Sequence, residues 1–342
     1  MDGKVGAGTT AAILGCEGPV LSPDEAAFFR ASDPFGFILF ARNVENPSQL
    51  SRLTSDLREA VGRDAPVLID QEGGRVQRMR APHWREWLPP LDQVLASPSG
   101  MAARGLWLRY RQIAEELRAV GIDANCAPTA DVAGPLTHPF LRNRCFGETA
   151  EAVTEAARAS ADGLLAGGVL PVVKHMPGHG RAQVDSHHQL PTVTADAAEL
   201  FATDFVPFAA LADLPLAMTA HIVFTAFDPD NPATTSPRMV RLIREEIGFK
   251  GFLMTDDISM QALAGDIADR AAASIAAGCD AVLHCNGKMA EMEMAVAAAG
   301  SLSPDARARA EAALACRRQP DAIDTALLEA EFERLLKGPC NG

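Results

Sequence analysis

Ionisable residues stand directly behind short apolar runs in this chain. Pro66–Ile69 is followed by Asp70-Gln71-Glu72-Gly73-Gly74-Arg75-Val76-Gln77-Arg78, and Leu170–Val173 by Lys174-His175-Met176-Pro177-Gly178-His179-Gly180. His221 follows Leu216–Ala220, and Asp256 and Asp257 follow Phe252–Met254 across Thr255. Ile122–Ala127 is followed by Asp131 and later by Arg142 and Arg144. A carboxylate aimed from a strand into a closed pocket can act as nucleophile or base. Two adjacent carboxylates at a strand end are ambiguous: one can point into the pocket while the other caps the next helix, or the two are a capping pair with no chemistry. Lys174 is one of only five lysines and interrupts an apolar run. A buried ammonium needs a partner. That partner is a carboxylate such as Asp70 or Asp131, a substrate hydroxyl, or both.

Four of the eight histidines, His175, His179, His187 and His188, lie within fourteen residues. His175 and His179 have i, i+4 spacing, but Pro177 and Gly178 separate them, so a shared helix face and a metal site are not expected. Gly178 and Gly180 favour a loop carrying a titrating histidine. Asp185-Ser186-His187 sets a carboxylate two residues before an imidazole. In an extended segment these share a side, so Asp185 can orient His187 and raise its pKa; alternatively the pair is a turn-forming Asp and an exposed His.

To converge, these residues need a scaffold. The apolar runs are Ala11–Gly15, Phe35–Phe40, Pro66–Ile69, Ile122–Ala127, Leu170–Val173, Leu216–Ala220, Phe252–Met254 and Ala281–Leu283. Near-continuous apolar runs read as parallel strands buried on both faces; Asp123 and Asn125 make the fourth an exception. Helical spacing fills the intervals, at Pro47–Val61, Leu106–Val120, Ala150–Ala166, Ala197–Leu211, Met239–Ile247 and Ala268–Ala277. Eight alternating units predict a single-domain α/β (β/α)₈ barrel with its chemistry at the C-terminal strand ends. A doubly wound sheet is disfavoured, because no G-x-G-x-x-G follows the first strand. Two further helices, Pro304–Arg317 and Ile323–Leu336, are expected on the barrel exterior, with Ser303 capping the first.

A formal charge of −13 argues against nucleic acid as a partner. The seven cysteines are odd in number and form no C-x-x-C, which suggests neither a disulfide framework nor a zinc ribbon. No run of about 18 apolar residues predicts a membrane span. The first residues lack a basic segment followed by a long apolar one, so a cytoplasmic location is expected.

Taken together the segments resemble glycoside hydrolase family 3, and more narrowly its single-domain bacterial β-N-acetylglucosaminidases. The resemblance rests on GFILFARN (36–43), LIDQEGGRVQR (68–78), APTADV (127–132), RCFG (144–147), KHMPGHG (174–180), DSHHQLP (185–191), MTAHIVF (218–224) and MTDDISM (254–260), in family order. Met176 and Cys145 depart from the family's usual Phe and Ser, and His83–Trp87 differs from its pattern. The resemblance implies Asp256 as nucleophile, His187 as general acid/base and Asp185 as its partner. It implies Asp70, Arg78, Arg144, Lys174 and His175 as the residues holding the sugar. It further implies a retaining exo-enzyme that takes terminal N-acetylglucosamine from muropeptides; a monomer without cofactor or metal is expected. Two other functions fit the same residues: a phosphorylase, in which phosphate replaces water, and a non-catalytic sugar-binding barrel.

Overall fold

The computed structural model describes residues 5–184 and 190–337. Eight parallel strands close a barrel in chain order: β1 Thr10–Gly15, β2 Pro34–Leu39, β3 Val67–Ile69, β4 Ala124–Asn125, β5 Leu170–Met176, β6 Leu216–Thr219, β7 Phe252–Asp257 and β8 Ala281–His284. Typical registers are Phe37 opposite Val67, Ala124 opposite Leu170 and Leu216 opposite Phe252. Strand β8 closes onto β1 with Ala12 opposite Val282. The main core cluster runs from Val5 to Phe332 and takes in the strands and the inner faces of the surrounding helices.

Caps set several helix starts. Asn46 accepts from the Gln49 amide ahead of Pro47–Val61, and Ser303 accepts from the Ala306 amide ahead of Pro304–Ala315. The helix expected over Ala197–Leu211 is two helices, Ala197–Ala202 and Val206–Ala210. Pro207 has no N–H to give the Thr203 carbonyl, so the helix stops and restarts there. The last helix spans Thr325–Lys337.

Strands β5 and β7 run three residues further than their apolar runs. Lys174 and His175, and likewise Asp256 and Asp257, are therefore strand residues rather than loop residues. Strand β4 is only two residues long, and the polar residues that set its run apart explain this. The Asp123 carboxylate accepts from the Val67 amide (2.8 Å), and the Asn125 side chain accepts from the Gln71 amide (3.0 Å) and donates to the Gln71 carbonyl (3.1 Å). Side chains here take over bonds that a longer ladder would make.

Asp280 fastens the opposite end of the barrel. Its buried carboxylate accepts from the Leu253 amide (2.8 Å) and pairs with Arg244 (2.7 Å) and Arg309 (2.6 Å). Arg309 belongs to Pro304–Ala315, so this cluster ties that exterior helix to the sheet. Removing one member strands buried charge. Asp280→Ala is expected to cost about 3 kcal/mol, read as a lower denaturant midpoint with kcat unchanged.

Candidate active site

A cavity of about 300 Å³ opens at the C-terminal end of the barrel. Asp70, Arg78, Arg144, Lys174, His175 and Asp256 all line it. Asp185 and His187 lie outside the described residues; Val184, immediately before them, lines the same cavity.

The segment after β3 forms a hairpin, Gln71–Gly73 against Val76–Gln77. The Gln71 side chain accepts from the Arg78 and Met79 amides, turning the chain back until Arg78 reaches Asp70 at 2.9 Å. Gly73 has φ +110°, and a Cβ there would run into Arg109, whose guanidinium donates to the Glu72 and Leu88 carbonyls. The hairpin is braced from outside. Gln77 donates to the Arg85 carbonyl (2.7 Å) and accepts from the Trp87 amide (3.1 Å). Arg85 pairs with Glu333, and the Trp87 and Phe332 rings meet edge to face at 5.6 Å, both partners being on the last helix.

Lys174 reaches from β5 to Asp70 (2.8 Å) and Glu72 (2.6 Å), and Arg144 grips Glu72 with two bonds (2.9 and 2.8 Å). The result is an alternating row, Arg78–Asp70–Lys174–Glu72–Arg144. Lys174 and Glu72 are about 2% and 1% exposed, so each charge depends on its neighbours. Burial pushes the Asp70 carboxyl up, but Lys174 and Arg78 overrule it and hold it well below the usual carboxylate range. Burial likewise opposes Glu72 ionisation, and Arg144 and Lys174 bring its pKa down to about 2. Burial disfavours the Lys174 ammonium, but Asp70 and Glu72 more than offset it and raise its pKa. Asp70, Glu72 and Lys174 are therefore charged at neutral pH. Two of Lys174's three N–H groups and two of Arg144's five are engaged with these carboxylates, so donors remain at the cavity wall for hydroxyls.

Asp131, the other carboxylate considered for Lys174, serves the histidines instead. Its Oδ2 lies 2.8 Å from His175 Nδ1, and its Oδ1 accepts from the His179 amide (2.7 Å). The Lys174–His175 and Met176–Pro177 peptides are cis. Gly180 passes so close to the Val132 carbonyl that a Cβ would collide with it. His179 is buried, and burial together with His175 lowers its pKa to about 4, so it lines the cavity as a neutral ring.

The two aspartates at the end of β7 both line the cavity but differ in their bonds. Asp256 Oδ1 accepts from the Asp257 amide (2.8 Å). Asp257 Oδ1 accepts from the Ser259 (3.0 Å) and Cys285 (3.2 Å) amides, and its Oδ2 from the Ser259 hydroxyl (2.6 Å). Asp257 is thus spent on the turn and on the neighbouring strand. Glu72, His179 and His221 belong to this end of the barrel but were not assigned roles from sequence. The signals are positional: Glu72 stands two residues after Asp70 in an extended stretch and so shares its side, His179 lies in the histidine cluster, and His221 follows an apolar run.

The sequence profile of the glycosyl hydrolase family 3 N-terminal domain matches residues 29–314. A β-hexosaminidase of Methylococcus capsulatus is 40% identical over 277 residues, covering 79% of this chain and 80% of that protein. One from Pseudomonas aeruginosa is 36% identical over 292 residues, covering 84% and 85%. Among solved structures, native NagZ from Neisseria gonorrhoeae superposes with a TM-score of 0.81 at 30% identity, covering 96% of this chain and 94% of that one. A family 3 β-N-acetylglucosaminidase from Paenibacillus superposes with a TM-score of 0.83 at 27% identity, covering 94% and 66%.

Proposed function

This chain belongs to glycosyl hydrolase family 3 and is a glycoside hydrolase of the β-hexosaminidase kind, and from that premise we propose that it removes terminal, non-reducing β-linked N-acetylglucosamine with retention of configuration. The observation that carries the proposal is the company Asp256 keeps: it shares one cavity with the donor and acceptor groups of Asp70, Arg78, Arg144, Lys174 and His175. Such a wall suits a ring bearing several hydroxyls. At about 300 Å³ the cavity is at the small end of ligand sites, roughly 300–1,000 Å³, which suits one sugar residue and hence exo action. Muropeptide fragments that end in N-acetylglucosamine are the proposed substrates.

Asp256 attacks the anomeric carbon and forms a glycosyl-enzyme, while the leaving oxygen takes a proton from His187. His187, now neutral, accepts a proton from water as the water attacks the same carbon, and Asp256 is released. Asp185 orients the imidazole and keeps it basic. His179, held neutral, and His175, committed to Asp131 at 2.8 Å, are less suited to the proton shuttle. Phosphate is a poor acceptor here, since Arg78, Lys174 and Arg144 each already face a carboxylate. Product analysis with and without phosphate checks this.

The decisive experiment compares leaving groups. His187→Ala is expected to slow a natural disaccharide by about 10²–10⁴-fold and a dinitrophenyl glycoside far less. With the activated substrate, water attack becomes limiting, so azide should accelerate turnover and yield the β-glycosyl azide. Equal loss on both substrates with no azide effect would show that the acid lies elsewhere. Activity is also expected to survive exhaustive chelation, and loss reversed by Zn²⁺ would contradict the mechanism.

A further inference from the structure

Regular strand pairing ends before Asp256 on the β6 side and is interrupted at it on the β8 side. Between β6 and β7 the register ends at Met218 opposite Met254. Between β7 and β8 it shifts between Met254 and Asp257. Pairing resumes with Asp257 opposite Leu283, and side chains hold the segment Thr255–Asp257 across the break. On the β8 side, Thr255 Oγ1 accepts from the Leu283 amide (2.9 Å), and the Asp257 carboxylate accepts from the Cys285 amide. On the β6 side, the fully buried His221 places Nε2 3.0 Å from the Asp257 carbonyl.

The tautomer of His221 follows from that contact. A carbonyl only accepts, so Nε2 carries the proton. Nδ1 faces the Thr234 hydroxyl at 2.8 Å, and Thr234 in turn meets the Thr219 hydroxyl at 2.8 Å. Both threonines are fully buried. In a neutral ring Nδ1 accepts, so Thr234 gives its one proton to Nδ1 at 2.8 Å rather than to the Ala220 carbonyl at 3.1 Å, and Thr219 donates to Thr234. Burial lowers the His221 pKa and keeps the ring neutral. The chain Thr219–Thr234–His221 thus runs from β6 to the far side of the aspartate pair.

We propose that His221 is a positioning residue for the nucleophile: through Nε2 it fixes the Asp257 main chain, whose N–H in turn orients Asp256 Oδ1. The proposal rests on the reading of Asp256 as nucleophile. It assigns His221 no contact with substrate, and therefore an effect on kcat and not on KM.

Two amides separate this role from simple core filling. Glutamine can set an N–H where Nε2 stands, whereas asparagine matches only the Nδ1 position. His221→Asn is expected to lower kcat about 10²-fold, the cost of a displaced reacting group, with KM within about twofold. His221→Gln should recover most of that loss. In single-turnover experiments with an activated aryl β-N-acetylglucosaminide, the loss should appear in formation of the glycosyl-enzyme. Equal losses in the two amides, or none in either, overturns the proposal. Should His221→Asn not fold, Thr234→Val decides: it keeps the imidazole but removes the hydroxyl holding Nδ1, and should lower kcat about tenfold at unchanged KM. Wild-type kcat in that variant overturns the proposal. If Asp256→Ala retains turnover, the nucleophile reading itself falls. If Asp256→Ala is inactive while the His221 and Thr234 variants behave as wild type, only this inference falls.

Discussion

Asp256→Ala should lower turnover by roughly 10⁴- to 10⁶-fold, the range for deleting a group that forms the covalent intermediate. The substitution leaves Lys174, Asp70 and Glu72 paired with one another, so the fold and sugar binding should persist; Kd for N-acetylglucosamine measures the latter. A slow fluorosugar substrate should label wild-type enzyme, and mass spectrometry should place the label on Asp256. Asp257→Asn is the control. Asp257 is bound to Ser259 and Cys285, so its loss should lower the melting temperature while Asp256 is still labelled. A label on Asp257 would reverse the assignment.

Lys174→Met should be the next most damaging change, because it takes the middle charge from the row. Leaving Asp70 and Glu72 buried with one cation each is expected to cost about 3–5 kcal/mol of stability and more than 10³-fold in kcat/KM, roughly the sum of a lost sugar contact and a displaced wall. The pH dependence gives an independent check. In the wild type, both carboxylates have folded pKa values below their unfolded ones, about 2 for Glu72. Their contribution is therefore present above the unfolded pKa, near 4, and is lost as pH falls through the folded value. Without Lys174 the folded values rise, and that contribution shrinks. The stability gap between variant and wild type should be widest at neutral pH and narrow from about pH 4 towards pH 2. A gap that stays constant with pH would mean that Lys174 only fills space.

The barrel was legible because parallel strands buried on both faces leave apolar runs that stand out between amphipathic helices. Its ionisable residues were legible because each sits where a run ends. What sequence could not give was which charge meets which. Asp70 and Asp131 were equally good partners for Lys174 in one dimension; the hairpin turned by Gln71 brings Asp70 and Glu72 to it, while Asp131 goes to His175. The split at Pro207 was written in the chain but was outweighed by the helical spacing around it. His221 looked like one more polar residue at a strand end, because its importance depends on where the β6–β7 pairing stops. Asp185 and His187 rest on their motif, and the leaving-group experiment is their test.

The hairpin that carries Asp70, Glu72 and Arg78 leans, through Gln77, Arg85 and Trp87, on Glu333 and Phe332 of the final helix. Some 250 residues separate the two halves of that support, so in vectorial synthesis the barrel's eight strands emerge before the piece that steadies its mouth. A nascent chain can thus close its sheet while its sugar wall is still loose, and competence waits until the helix Thr325–Lys337 has emerged. Nonsense or frameshift lesions ahead of Thr325 would then yield chains that collapse into barrels yet bind sugar poorly, a burden on proteolysis rather than a source of residual activity.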